Sequence, residues 1–136
     1  MNKTVLLLVI VVSFSYKLQA ALPLPPSNFT GSITLFTGFS CSKCSQPYLL
    51  AATWTPSPSP NVVSYEIDYN GTLVTTIPAS GPFIFVACNL CLSQLCSGYT
   101  IAAIDDIGQS SVEVPLFITQ RPPFINTALT SCCKSF

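Results

Sequence analysis

Apolar and polar residues alternate most cleanly from Val63 to Tyr69, where Val63, Tyr65, Ile67 and Tyr69 interleave with Ser64, Glu66 and Asp68. That period of two is what a strand with one buried and one wet face requires. The run ends in Asn70-Gly71 and resumes at Thr72–Ile77, and this dipeptide is the strongest two-residue hairpin signal. Leu49–Trp54 is apolar on both sides and reads as a central strand. Ser32–Phe36, Pro82–Cys88, Tyr99–Ile104 and Ser111–Phe117 complete the series, and no segment between Gly31 and Thr119 has a helical period. Pro115 lies within the last of these and assigns it to a sheet edge, where a missing N–H costs nothing. Short strands punctuated by turns every 8 to 15 residues or so predict an all-β, two-sheet antiparallel sandwich of about seven strands. Trp54, Tyr65, Ile67 and Tyr69 are its expected core.

The N-terminus changes the picture of where such a domain works. Met1-Asn2-Lys3 is a short basic start, Val5–Val12 is an unbroken apolar run, and Leu18-Gln19-Ala20 offers a small-residue cleavage point. A run this short fits a removable signal peptide over residues 1–20, because a spanning helix needs roughly 20 apolar residues. No later segment could span a bilayer. Residues 21–27 form a proline-stiffened lead-in, and residues 120–136 form a cysteine-containing tail. The expected location is secreted and extracellular. Two sequons, Asn28-Phe29-Thr30 and Asn70-Gly71-Thr72, suit that compartment as glycosylation sites.

Charge is scarce, at 7% of residues. Past the signal, three basic side chains (Lys43, Arg121, Lys134) face five acidic ones, for a net charge of −2. A nucleic-acid binder needs a basic stripe, so that class is excluded. The chain has no histidine, which removes Ser-His-Asp and Cys-His schemes and imidazole metal sites. No nucleophile motif or phosphate-binding glycine loop is present. No catalytic residue, cofactor or metal is expected from these patterns.

Seven cysteines carry the remaining chemistry: Cys41-x2-Cys44, Cys88-x2-Cys91-x4-Cys96 and Cys132-Cys133. In a cytosolic chain the paired C-x2-C units would read as a thiolate metal-binding site. Behind a signal peptide, disulfides involving Cys41, Cys44, Cys88, Cys91 and Cys96 are the better reading. Because seven is odd, the adjacent Cys132 and Cys133 suit an interchain bridge. The alternatives are a tail cysteine that bridges back within the chain, its neighbour left free or capped, and a disordered tail.

Leu50-x-Ala52-x-Trp54-Thr55-Pro56, Tyr65-x-Ile67-x-Tyr69 and Ala103-x-Asp105-x-x-Gly108-x-Ser110 resemble strands B, C and F to G of a fibronectin type III module. The resemblance covers Pro26 to Ile118 and implies a sandwich domain over residues 28–119. Ser97 stands where that family carries its tyrosine-corner residue, with Tyr99 two positions late. Either the corner is rebuilt around Cys96 or the chain is a relative from another sandwich family. On that fold the cysteine-bearing loops and the tail would share one pole. A bridge closing about 45 residues there would add roughly 4 kcal/mol in the chain-entropy model. The Asn70 hairpin would lie at the same pole.

The opposite pole would present Pro56, Ser57, Pro58 and Asn61 from one loop and Asp105, Asp106 and Gln109 from another, with the Pro78–Gly81 turn beside them. Prolines pre-order a loop and reduce the entropy lost on binding. The expected function is therefore a small secreted binding module acting by protein–protein recognition. Its partner would be an extracellular or cell-surface protein, or itself as a disulfide-linked dimer. The alternatives are a cysteine-cross-linked component of a coat, matrix or viral envelope, and the thiolate metal-binding domain.

Overall fold

The computed structural model describes residues 20–35, 48–95 and 98–122. Among them the strands are β1 (Ser27–Leu35), β2 (Tyr48–Thr55), β3 (Val62–Tyr69), β4 (Thr72–Pro78), β5 (Ile84–Leu90), β6 (Tyr99–Asp105), β7 (Val114–Pro115) and β8 (Phe117–Gln120). One helical turn, α1 (Leu92–Leu95), joins β5 to β6. The strands form two four-stranded sheets, sheet I in the order β5-β2-β1-β8 and sheet II in the order β4-β3-β6-β7. All pairings are antiparallel except β1 with β8, which is parallel. The chain is an all-β sandwich.

Alternation builds the core from both sheets. Phe29 and Ile33 of β1 and Tyr48, Leu50, Ala52 and Trp54 of β2 are buried from one side. Tyr65 and Ile67 of β3 and Tyr99, Ile101 and Ala103 of β6 meet them from the other. Tyr69 is only partly buried and packs at the margin against Tyr99, with ring centroids 4.9 Å apart. Burial, and secondarily the Tyr69 ring beside it, raises the Tyr99 phenol above its ordinary pKa.

Bulges explain where simple alternation fails. Val63, expected inside, is 50% exposed. The register of β3 on β6 shifts between Val62 and Ser64, so Val62 takes the inward place and packs against the core. β5 likewise carries an extra residue opposite β2 between Ala87 and Leu90, which returns Leu90 to the core after an outward Cys88. Asn28 sits in the irregular stretch between Ser27 and Thr30 with φ +52°, a left-handed conformation that asparagine tolerates better than most residues.

The last strand switches sheets. The expected single strand Ser111–Phe117 is two pieces: β7 pairs with β6, and β8 pairs with β1. Pro115 lies on the edge strand of sheet II, as its missing N–H requires. Leu116 stands at the crossing, donating its N–H to the Tyr99 carbonyl at 2.9 Å. Its side chain covers Gly31, where an added Cβ would lie 3.1 Å from Leu50, 3.2 Å from the Ala51 carbonyl oxygen and 3.3 Å from Leu116. The Asn70-Gly71 hairpin forms as its sequence demands, with φ +50° and +75° and Tyr69 opposite Thr72.

Candidate functional site

One end of the sandwich is built on an aromatic floor. Trp54 is in edge contact with Phe29, Tyr65 and Phe83, at centroid distances of 6.2, 5.7 and 6.1 Å, and Tyr65 meets Phe83 at 6.0 Å. These rings come from β1, β2, β3 and the segment before β5, so they tie both sheets together at this pole. The Tyr65 hydroxyl then reaches out of the floor and accepts the Ser57 N–H at 2.9 Å. A buried tyrosine keeps its polar tip paired in this way.

Hydrogen bonds hold four chain segments over that floor. Ser57 Oγ donates to the Leu24 carbonyl at 2.6 Å, and the Leu24 N–H donates to Ser59 Oγ at 2.8 Å. The lead-in is thus fastened to the loop of residues 56–61. On the loop's other side, the Asp106 N–H donates to the Asn61 carbonyl at 3.0 Å. The Ala79 N–H, in the turn after β4, donates to the Val63 carbonyl at 2.9 Å.

The loop of residues 105–109 is shaped by one buried carboxylate. Asp105 is 2% exposed, and its Oδ1 accepts the N–H of Ile107 at 3.1 Å and of Gln109 at 2.7 Å. Its backbone carbonyl accepts the Gly108 N–H at 3.1 Å, with Gly108 at φ +79°. Asp105 Oδ2 and Gln109 Oε1 are buried without a hydrogen-bond partner. Below this loop Ser111 replaces a ladder residue: its N–H donates to the Ala103 carbonyl at 2.8 Å, and its Oγ accepts the Ala103 N–H at 2.9 Å.

The seven residues expected to present this pole therefore divide. Pro56, Pro58, Asn61 and Asp106 are exposed. Asp105 and Gln109 are not a contact surface: the first is an internal staple, and the second turns its side-chain oxygen inward. Ser57 is half-buried by its bonds to Leu24 and Tyr65. Three apolar residues that the turn chemistry overshadowed flank the same loop, namely Leu22 at 60%, Leu24 at 56% and Ile107 at 64% exposure. Ile107 was findable, because an aliphatic residue inside Asp-Asp-Ile-Gly-Gln has no strand face to turn into.

The two sequons lie at opposite ends. Asn28 is exposed beside the loop pole, its Nδ2 donating to Thr55 Oγ1 at 3.2 Å. Asn70 is exposed at the far end, where its N–H donates to the Gly98 carbonyl at 3.2 Å.

Near that end, Cys88 is not in a bridge: it is a free, exposed thiol on the outward side of β5. Cys91 is disulfide-bonded and caps α1. Its N–H donates to Gln94 Oε1 at 2.7 Å, the backward-reaching bond of a capping box, while the Gln94 N–H donates to the Cys91 backbone carbonyl at 3.0 Å as a turn bond. A bridged sulfur is not a thiolate ligand, so the metal reading that paired Cys88 with Cys91 loses one of its donors. Cys41, Cys44, Cys96, Cys132 and Cys133 lie outside the described residues, as do most of the expected signal peptide and the tail from residue 123. Among the described residues no group of three or more His, Cys, Asp or Glu side chains could hold a metal ion.

No helix among the described residues is long and apolar enough to cross a membrane. No family model matches the chain, and no curated protein matches it. Among solved structures, the crystal structure of the Clostridium perfringens spore cortex lytic enzyme SleM is similar at a TM-score of 0.40 and 17% identity. That alignment covers 68% of this chain and 28% of SleM.

Proposed function

We propose that this chain is a small secreted binding module, fibronectin type III-like and braced by disulfides, that works by protein–protein recognition rather than catalysis. The observation that carries the reading is the loop pole. Leu22, Leu24 and Ile107 stand exposed around a proline loop that is hydrogen-bonded on both flanks and seated on four packed aromatic rings. Apolar side chains on a pre-ordered support lose little entropy on docking. The strand order β5-β2-β1, extended by β8 in parallel, against β4-β3-β6-β7 supports the fibronectin type III likeness, and the bonded state of Cys91 supports the bracing. The partner class is an extracellular or cell-surface protein with an apolar-centred epitope, since among the described residues the pole offers Asp106 and no base.

The test is a binding screen of the labelled, folded chain against a library of extracellular ectodomains. Saturable binding to one or a few is expected. A folded chain that binds none, or that hydrolyses a library component, would overturn the proposal. The coat or matrix reading predicts something else, namely large assemblies that dissolve on reduction.

A further inference from the structure

The outward face of sheet I is uncharged and shaped by side-chain size. None of its four strands carries a charged residue. Register sets Phe117, Thr30, Thr53 and Ile84 in one row across all four strands, and Ser32, Ala51 and Val86 in the next. Phe29, Ala52 and Phe85 turn inward beside them, so alternation sends both rows to the outside. Small side chains run down the middle, with the Phe117 ring at one edge, 69% exposed, and Ile84 and Val86 at the other.

Asn28, of the sequon Asn28-Phe29-Thr30, stands at one end of this face. Thr55 follows Thr53 by two along β2 and points the same way. The Asn28 Nδ2 donates to Thr55 Oγ1 at 3.2 Å, which holds the carboxamide against the outward side. Strand geometry puts the Asn28 Cα about 8 Å from that of Phe117.

We infer that this face is the bed of an N-linked glycan on Asn28, whose first sugars lie across Thr30 and Thr53 against the Phe117 ring. The tether selects the occupant. A sugar bonded to Asn28 stays at high effective concentration over the face, an advantage that no free partner has. The chemistry agrees: a pyranose has C–H groups to stack on an aromatic ring and hydroxyls to meet threonines, and a glycan core is as uncharged as the strands. Asn70, the other sequon, stands at a hairpin tip, where a Cβ added at Gly71 meets nothing within 4 Å. The inference rests on the secreted reading, since such glycans are added in the secretory pathway.

The covalent step is transfer from a lipid-linked oligosaccharide diphosphate. Asn28 Nδ2 attacks the anomeric carbon. The C–N bond forms, the C–O bond to the diphosphate breaks, and the lipid diphosphate leaves with that electron pair. One amide proton is lost to solvent, and the other stays on Nδ2 to keep the bond to Thr55.

The test uses the full chain secreted from a eukaryotic host, with Thr72→Ala removing the second sequon. Glycopeptide mass reads occupancy at Asn28. Denaturant unfolding then compares this chain with Asn28→Asp, Phe117→Ser and the two combined, a cycle that isolates the ring–glycan coupling. Aspartate also tolerates the φ of +52° at this position, and its charge enters both arms alike. Asn28 is expected to be occupied. Its loss should raise the unfolding equilibrium constant at least about threefold while the ring is present, as exposing part of a phenylalanine does, and should have little effect beside Phe117→Ser. Nuclear Overhauser contacts between sugar protons and the Phe117 ring, read on the glycosylated chain, are expected whether or not Asn28→Asp folds. A secreted chain with bare Asn28, a glycan effect indifferent to Phe117→Ser, or the absence of ring–sugar contacts would each overturn the inference alone. Secretion is scored apart, by recovery from the medium, and a chain retained in the cell would overturn the secreted reading together with this inference.

Discussion

The two sheets solve the same packing problem and then differ in what they show to solvent. Inwardly, Ile33, Leu50 and Trp54 of sheet I and Tyr65, Ile67 and Ile101 of sheet II fill one shared core. Outwardly, β3 of sheet II carries the half-buried Ser64, Glu66 and Asp68, while sheet I offers serine, threonine, asparagine, glutamine, aliphatic side chains such as Val86, the exposed Phe117 ring and one thiol. The inward side records the demands of folding, which are alike for both sheets. The outward side is released from those demands, so the two sheets are free to diverge there.

The sharpest test of the shared core is a matched pair of truncations. Leu50→Ala in sheet I and Ile101→Ala in sheet II should each cost about 2–5 kcal/mol in denaturant unfolding, as buried large-to-small changes do. A cost near zero for either one would remove that residue from the shared core. Glycines separate the sheets more finely. Gly31→Ala drives a methyl against the Ala51 carbonyl and the Leu116 side chain and should cost about 1–3 kcal/mol by overpacking. Gly71→Ala meets nothing within 4 Å but keeps φ at +75°, so backbone strain alone should cost about 1 kcal/mol.

The smallest effect is one of pH. The Tyr99 phenol is raised above 10.0 in the folded chain, chiefly by burial. The folded state then holds its proton where the unfolded state has lost it, so stability is full below about pH 10 and declines as pH rises through the folded value. Tyr99→Phe should flatten that alkaline decline in a series of denaturant titrations. An unchanged slope would remove Tyr99 as its source.

Much of the fold was legible because it rests on local rules. The period of two from Tyr65, the Asn70-Gly71 hairpin and the edge position of Pro115 each follow from backbone sterics or a missing donor. Register was not legible, since a bulge is set by the partner strand. That is why Val63 turned outward and why Ser111–Phe117 broke at Leu116 to change sheets. The short α1 turn escaped notice because four residues carry no period. At the loop pole, composition identified the segments but not their insides. Asp105 in an exposed-looking turn became the buried carboxylate that shapes it, and Ile107 took the exposed place. Cys88 was grouped with its neighbours by spacing, whereas its place in β5 turns it outward.

The central claim is that recognition belongs to the loop pole and not to the sheets. The direct measurement is ectodomain binding by the native chain, by Ile107→Asp and by Val86→Lys, each first shown to melt like the native protein. The account predicts that Ile107→Asp lowers affinity at least about tenfold, as loss of a central apolar anchor does, while Val86→Lys binds as the native chain does. Binding that survives Ile107→Asp and fails with Val86→Lys would contradict it and move recognition to the uncharged sheet.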